Sequence, residues 1–211
     1  MKVLLVNGSP HERGCTYVAL SEMIKTFDEL GIDSELFHIG TKPISGCIAC
    51  GGCAKTGRCV IADDGVNRFL ELAREADGFV FGTPVHYAAA SGAITSFMDR
   101  AFYAGSGDKG VFKNKPAASV AAARRAGNVT AFDQLNKYYT ISSMPVVSSQ
   151  YWNMIFGLNA EQARQDLEGL QTMRTLARNM AWLLRCIEAG RAAGIPEPES
   201  GEERQITNFI R

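Results

Sequence analysis

The sequence predicts a doubly wound α/β fold, a five-stranded parallel sheet of order 2-1-3-4-5 in three α/β/α layers. Short apolar runs rich in Val, Leu and Ala alternate with longer stretches whose apolar residues recur every three or four positions. Strands joined by such helical crossovers run parallel with right-handed connections. The 211 residues, 46% hydrophobic and 21% charged, suffice for one large domain with a substantial core.

Lys2 to Asn7 reads as a buried strand, stopped by Gly8 and Pro10. A helix follows from about Thr16, with Val18, Met23, Phe27 and Leu30 on one face and Gly31 at its end. Ser34 to Ile39 is the second strand. Val66, Phe69, Leu70 and Ala73 mark the next helix, and Asp77 to Phe81 the third strand, broken by Gly82-Thr83-Pro84. Ser91 to Tyr103 returns to helical spacing, Ala117 to Ala122 is the fourth strand, Thr130 to Tyr139 a helix and Met144 to Ser149 the fifth strand. A long helix is expected from Asn159, with Gln162 reaching back to cap it. Residues 1–190 then form the domain, with a cysteine-rich insert over 46–60, and 191–211 a C-terminal extension. Within that extension Gly194 to Glu203 reads as an exposed connector, and Thr207-Asn208-Phe209-Ile210 as a segment apolar enough to dock.

Charge excludes some functions. Twenty-two basic residues balance 22 acidic ones, so the long-range attraction used by nucleic-acid and anionic-membrane proteins is missing. No apolar stretch reaches the ~18 residues of a membrane span, and the apolar start is too short for an export signal. The expected location is the cytoplasm. Two further patterns carry no chemistry. Gly105 to Gly110 has the letters of a dinucleotide fingerprint but follows a helix and leads into a strand, so it reads as a flexible loop; Gly52 to Gly57 lacks the Lys and Ser or Thr of a P-loop.

In such a sheet ligands bind beyond the carboxyl ends of the strands, where the strand order reverses. Three loops fall there. Gly8 to Cys15 offers Ser9, Arg13 and, just beyond it, Thr16 at a helix N-terminus, the equipment for a terminal phosphate; Cys15 reads as a small packing residue. Gly82 to Ser91 brings Pro84, His86 and Tyr87 to a flat ligand, with Ser91 capping the next helix. Ala123 to Gly127 carries Arg124 and Arg125, where a cation or backbone donor could stabilise negative charge growing on a bound ligand.

Four of the six cysteines fall between positions 47 and 59 as C-x2-C-x2-C-x5-C, namely Cys47, Cys50, Cys53 and Cys59. In a reducing compartment this density points to metal or redox chemistry. Overlapping C-x2-C turns suit a cuboidal iron–sulfur cluster, four-thiolate zinc is the competing metal, and a redox-active dithiol or metal-free loop stays open.

Taken together, these residues resemble the flavodoxin-like NADPH-dependent FMN reductase family, specifically its iron–sulfur flavoprotein branch. The resemblance covers residues 1 to about 190. It implies FMN held through Ser9, His11, Arg13, Cys15 and Thr16 at the phosphate, through Pro84, Val85, His86 and Tyr87 at the ring, and through Ala123, Arg124, Arg125 and Gly127 in the third loop. It implies a 4Fe-4S cluster on the four clustered cysteines, NAD(P)H as electron donor, and a small or protein acceptor such as a ferredoxin. His11 stands where many members carry Arg, which shifts phosphate contacts toward Arg13 and backbone donors. The family implies a homodimer or homotetramer, in which the segment Ser148 to Met154, with Tyr151-Trp152-Asn153 at its centre, could close over a neighbour's flavin. A flavodoxin-like electron carrier without substrate turnover and a zinc-stapled flavin protein are the alternative readings.

Overall fold

Strand alternation sorts the core into two layers. In β1 (Lys2–Asn7), Val3 and Leu5 point to one side and Leu4 and Val6 to the other, all four fully buried. The computed structural model describes residues 1–106 and 110–198, with 202, 203, 205 and 207. Beyond β1 these contain α1 (Cys15–Glu29), β2 (Asp33–His38), α2 (Cys53–Thr56), α3 (Val66–Glu75), β3 (Gly78–His86), β4 (Ala89–Ala90), α4 (Gly92–Gly105), β5 (Ala117–Ala123), α5 (Asn128–Ile141), β6 (Met154–Phe156), α6 (Ala160–Ala163) and α7 (Leu167–Ala192). The main sheet runs β2-β1-β3-β5-β6, every pair parallel, and β4 folds back antiparallel on β3. With the two-residue β4 set aside, this is the expected order.

One face packs an aromatic layer from the sheet and α3, α4 and α5, including Phe69 and Phe97 with ring centroids 5.1 Å apart and Phe102 and Phe112 at 4.3 Å. The other packs aliphatic side chains against α1 and α7, among them Leu20, Met23, Met173 and Leu176. All seven residues of β5 are buried and five are alanines, small enough for helices to approach from both sides.

Three sequence expectations need correction. The third strand does not stop at Phe81. It continues to His86, because β1 ends opposite Gly82 and leaves Pro84 a neighbour on the β5 side only, an edge position that tolerates a missing N–H. The fifth strand is Met154–Phe156 rather than Met144 to Ser149. Val146 makes a single bridge to Ala117, after which the chain bulges and rejoins β5 at Met154. Buried Asn153 closes the gap, its Nδ2 donating to the Ser119 carbonyl (3.0 Å) and its Oδ1 accepting from the Ser149 hydroxyl (2.7 Å). Finally, Asn159 and Gln162 cap as expected, but only the short α6. The long helix starts anew at Leu167, because the Asp166 carboxylate accepts from Gly169 N (2.9 Å) and from Phe156 N (2.7 Å), capping α7 and pinning it to β6. Residues 107–109 of the Gly105 to Gly110 loop and 208–210 of the Thr207 to Ile210 segment lie outside the described residues.

Candidate functional site

The carboxyl ends of β1, β3 and β5 lie side by side, Asn7 opposite Gly82 and Pro84 opposite Ala122, so the three loops meet along one edge. Buried Asn7 shapes the first of them. Its Oδ1 accepts from Ser9 N (3.1 Å) and its Nδ2 donates to the Glu12 carbonyl (2.9 Å), folding residues 8 to 13 into a tight cup. The Ser9 hydroxyl accepts from His11 N (3.1 Å), and the Ser9 carbonyl accepts from His38 Nε2 (2.8 Å), which fixes that nitrogen as the protonated one. Neither Asn7 nor His38 stood among the expected site residues, although a polar residue ending an apolar strand before Gly-Ser was a visible signal.

At the start of α1 the Gly14 cap provides no side-chain acceptor, and the Thr16 hydroxyl is sealed from water with no hydrogen-bond partner among the described residues. A buried unpaired hydroxyl beside an uncapped helix N-terminus is costly until an anion fills the cup. This fits the terminal phosphate of FMN. Arg13 is exposed and free to fold onto that anion, and the His11 side chain is exposed too. The Cys15 thiol instead turns away, donating to the Gly157 carbonyl (3.3 Å), with burial pushing its pKa up. Its contribution to an anion site is through the backbone.

The second loop is clamped to the first. Gly8 N donates to the Gly82 carbonyl (2.8 Å), and the Ser91 hydroxyl donates to the Gly8 carbonyl (3.1 Å). A Cβ at Gly8 would stand 2.8 Å from both the Gly82 oxygen and Ile94, so only glycine permits this approach. Beyond Pro84 and Val85, both half-buried, the chain turns as a β3–β4 hairpin whose corner residues Tyr87 and Ala88 take φ of +48° and +66°. Non-glycine residues in that region store strain, and the corner leaves His86 and Tyr87 exposed. Gly127, at φ +89°, packs against the hairpin where a Cβ would come within 2.6 Å of Ala88 Cα.

The third loop therefore braces the second. Ala123 is buried at its root, and Arg124 and Arg125 are exposed with no ion pair among the described residues. A cavity of about 480 Å³ opens beside this loop, bounded by Arg125, Gly127, Trp152, Met154, Phe156 and Thr172. Tyr151 and Trp152 flank it with ring centroids 4.8 Å apart, both about half exposed.

Cys47, Cys50, Cys53 and Cys59 line a single cavity of about 20 Å³, and none is in a disulfide. Gly51 and Gly57, at φ +70° and +62°, provide the turns that bring them together. In number and chemistry the donor set fits an iron–sulfur cluster or a thiolate-bound metal. In spacing the thiols do not converge: among the described residues no three His, Cys, Asp or Glu close on a metal position, and the cavity has room for about one water. The sequence reading missed Arg100. It is 1% exposed on α4, and its Nε–H donates to Cys59 Sγ (3.2 Å) while its other nitrogens hold Asp64 and the carbonyls of Ser45 and Ile61. A charge on the apolar face that carries Phe97 and Ala101 was the signal available.

Residues 1–158 match the family model described as NADPH-dependent FMN reductase. An iron–sulfur flavoprotein of Methanocaldococcus jannaschii is 31% identical over 193 residues, covering 89% of this chain and 100% of the relative. Another iron–sulfur flavoprotein, from Archaeoglobus fulgidus, is 28% identical over 191 residues, covering 87% and 97%. Among solved structures, RosB with bound 8-demethyl-8-formylriboflavin-5'-phosphate superimposes with a TM-score of 0.70 at 16% identity, over 100% of this chain and 94% of that one, a likeness of fold. The matched region contains all three cleft loops and the four clustered cysteines, and the chain belongs to the NADPH-dependent FMN reductase family.

Proposed function

We propose that this chain is a cytoplasmic FMN-dependent oxidoreductase that takes electrons from NAD(P)H and passes them to a small or protein acceptor, with an iron–sulfur cluster on Cys47, Cys50, Cys53 and Cys59. The observation that carries the flavin reading is the buried, unpaired Thr16 hydroxyl beside the uncapped N-terminus of α1, at the reversal of strand order. FMN, when bound, supplies hydride acceptance and one-electron release. The protein's residues do the rest. Ser9, Thr16, Arg13 and the first turn of α1 hold the phosphate. The hairpin with Pro84, His86 and Tyr87 orients the ring, Gly8 and Gly127 let the first and third loops pack closely on the second, and Arg124 and Arg125 offer positive charge where negative charge grows. The cavity beside the third loop gives the reaction partner space. No side-chain acid or base is assigned, because hydride transfer to a flavin requires none.

Four free thiols on one loop support the cluster reading, as do relatives named iron–sulfur flavoproteins. The proposal includes self-association as a homodimer or homotetramer and a redox partner such as a ferredoxin. No described helix is long and apolar enough to cross a membrane. Anaerobic purification tests the whole reading on one sample, with an absorption spectrum, flavin, iron, sulfide and zinc analysis, sedimentation, and steady-state NAD(P)H oxidation. FMN with iron and sulfide and turnover supports it. Zinc in place of iron would make the cysteine loop a staple, and FMN without turnover would make the protein an electron carrier.

A further inference from the structure

Of the four clustered cysteines, Cys47 and Cys50 are exposed on the outer turn of the loop. Cys59 is held from two sides. Its backbone N–H donates to Asn67 Oδ1 (2.8 Å) and its carbonyl accepts from Asn67 Nδ2 (2.9 Å), so a buried amide on α3 clamps it. Its sulfur accepts from Arg100 Nε–H at 3.2 Å. The same guanidinium donates to the Ile61 carbonyl (2.7 Å) and the Ser45 carbonyl (3.3 Å), which lie on opposite limbs of the loop, and pairs with Asp64 through both terminal nitrogens. One side chain thus ties both limbs and one sulfur to α4.

Arg100 lies on the helix that Ser91 caps, nine residues or about 14 Å of helix away, and the Ser91 hydroxyl clamps the second loop to Gly8. Helix α4 is therefore a common frame for both sites. Loading a cluster requires the 20 Å³ cavity to open, and the groups free to move are the exposed Cys47 and Cys50 rather than the doubly held Cys59.

We propose that Arg100 is the positioning residue of the cysteine site, fixing Cys59 as its stationary ligand and raising the reduction potential of the iron–sulfur cluster bound there. This rests on the cluster reading above. The physical ground is that a hydrogen bond donated to a ligating sulfur favours the more negative, reduced state. Asp64 neutralises the guanidinium as a whole, but Nε–H still points at the sulfur, and a dipole at contact range outweighs a charge pair seen from farther away.

The test compares wild type, Arg100→Gln and Arg100→Lys as full chains, reconstituted anaerobically with iron and sulfide. The readouts are iron and sulfide per chain and the midpoint potential from a spectroscopic redox titration, with FMN content and far-UV circular dichroism as measures of folding. The expected result is retained FMN, reduced iron retention in Arg100→Gln, and a lower potential, at least tenfold in the one-electron equilibrium or ~59 mV. Arg100→Lys keeps the charge but not the fork, and shifts the same way by less. Loaded variants with wild-type potential and iron content would overturn the role of Arg100 and leave the cluster reading standing. A wild type that takes up no iron would instead overturn the cluster reading and this inference with it. Loss of FMN and helix signal in both variants would reduce Arg100 to a strut of the fold and overturn the proposal.

Discussion

The Thr16 hydroxyl lies buried and unpaired in the first turn of α1. An unsatisfied buried hydroxyl costs about 1–3 kcal/mol, and a hydrogen bond to a charged group contributes about 1.5–3 kcal/mol. Thr16→Val should therefore leave the apoprotein as stable as wild type or more so, while weakening FMN binding about tenfold to a hundredfold, as read by flavin-fluorescence quenching. Equal affinity would remove Thr16 from the phosphate site. The residue type was visible in the sequence, since a hydroxyl just inside a helix that follows a Gly-Ser turn is phosphate equipment. Its lack of a partner was not, because that depends on where every neighbouring group points. Arg100 shows the other limit: its partners Cys59, Asp64, Ser45 and Ile61 lie 36 to 55 positions away in the chain, beyond the reach of any local pattern.

At the level of elements, α7 depends on one carboxylate. Asp166 caps Gly169 and also takes the Phe156 amide of β6, so Asp166→Ala leaves two donors unpaired. Urea unfolding should show a loss of about 1–2 kcal/mol, the upper part of the range for a deleted cap, and Asp166→Asn, whose amide keeps one acceptor oxygen and turns an NH2 donor toward the second N–H, should recover only part of it. A loss confined to a few tenths would mean that water replaces the carboxylate. Helix α1 and the strands β1 and β5 were legible because their patterns are long and consistent with a single face or full burial. The fifth strand was misplaced by several residues because two apolar runs, Met144 to Val147 and Met154 to Phe156, compete for one edge of β5. Asn153 decides between them through side-chain bonds to Ser119 and Ser149, which propensity does not register.

At the scale of the whole molecule, two tyrosines of the aromatic layer couple stability to pH in the alkaline range. Burial, opposed in part by a hydrogen bond from Ser119, holds the Tyr139 hydroxyl protonated well above its ordinary value of 10.0, and burial with the hydrogen bond to Asp99 does the same for Tyr138. A raised tyrosine pKa stabilises the folded state fully below the unfolded value, and that stability is lost as pH climbs from about 10 toward the folded value. Half-buried Lys115, lowered chiefly by burial, works in the opposite sense, but its contribution is complete once pH passes its ordinary 10.5. Urea unfolding between pH 10.5 and 11.5 should thus show falling stability, and Tyr139→Phe should lessen the slope by up to ~1.4 kcal/mol per pH unit. An unchanged slope would mean that other groups govern alkaline unfolding.

Two things followed from the chain alone: the alternation of strand and helix, and the three loops at the carboxyl edge of the sheet. Both arise from local preferences, hydrophobic period and turn chemistry, which act between residues a few positions apart. The tertiary structure decided the extension of β3 through Pro84, the strained Tyr87–Ala88 corner, the split between α6 and α7, and the hold of Arg100 on Cys59. Each depends on which distant group fills a particular hydrogen-bonding or packing position, and that is settled only when the layers close on one another.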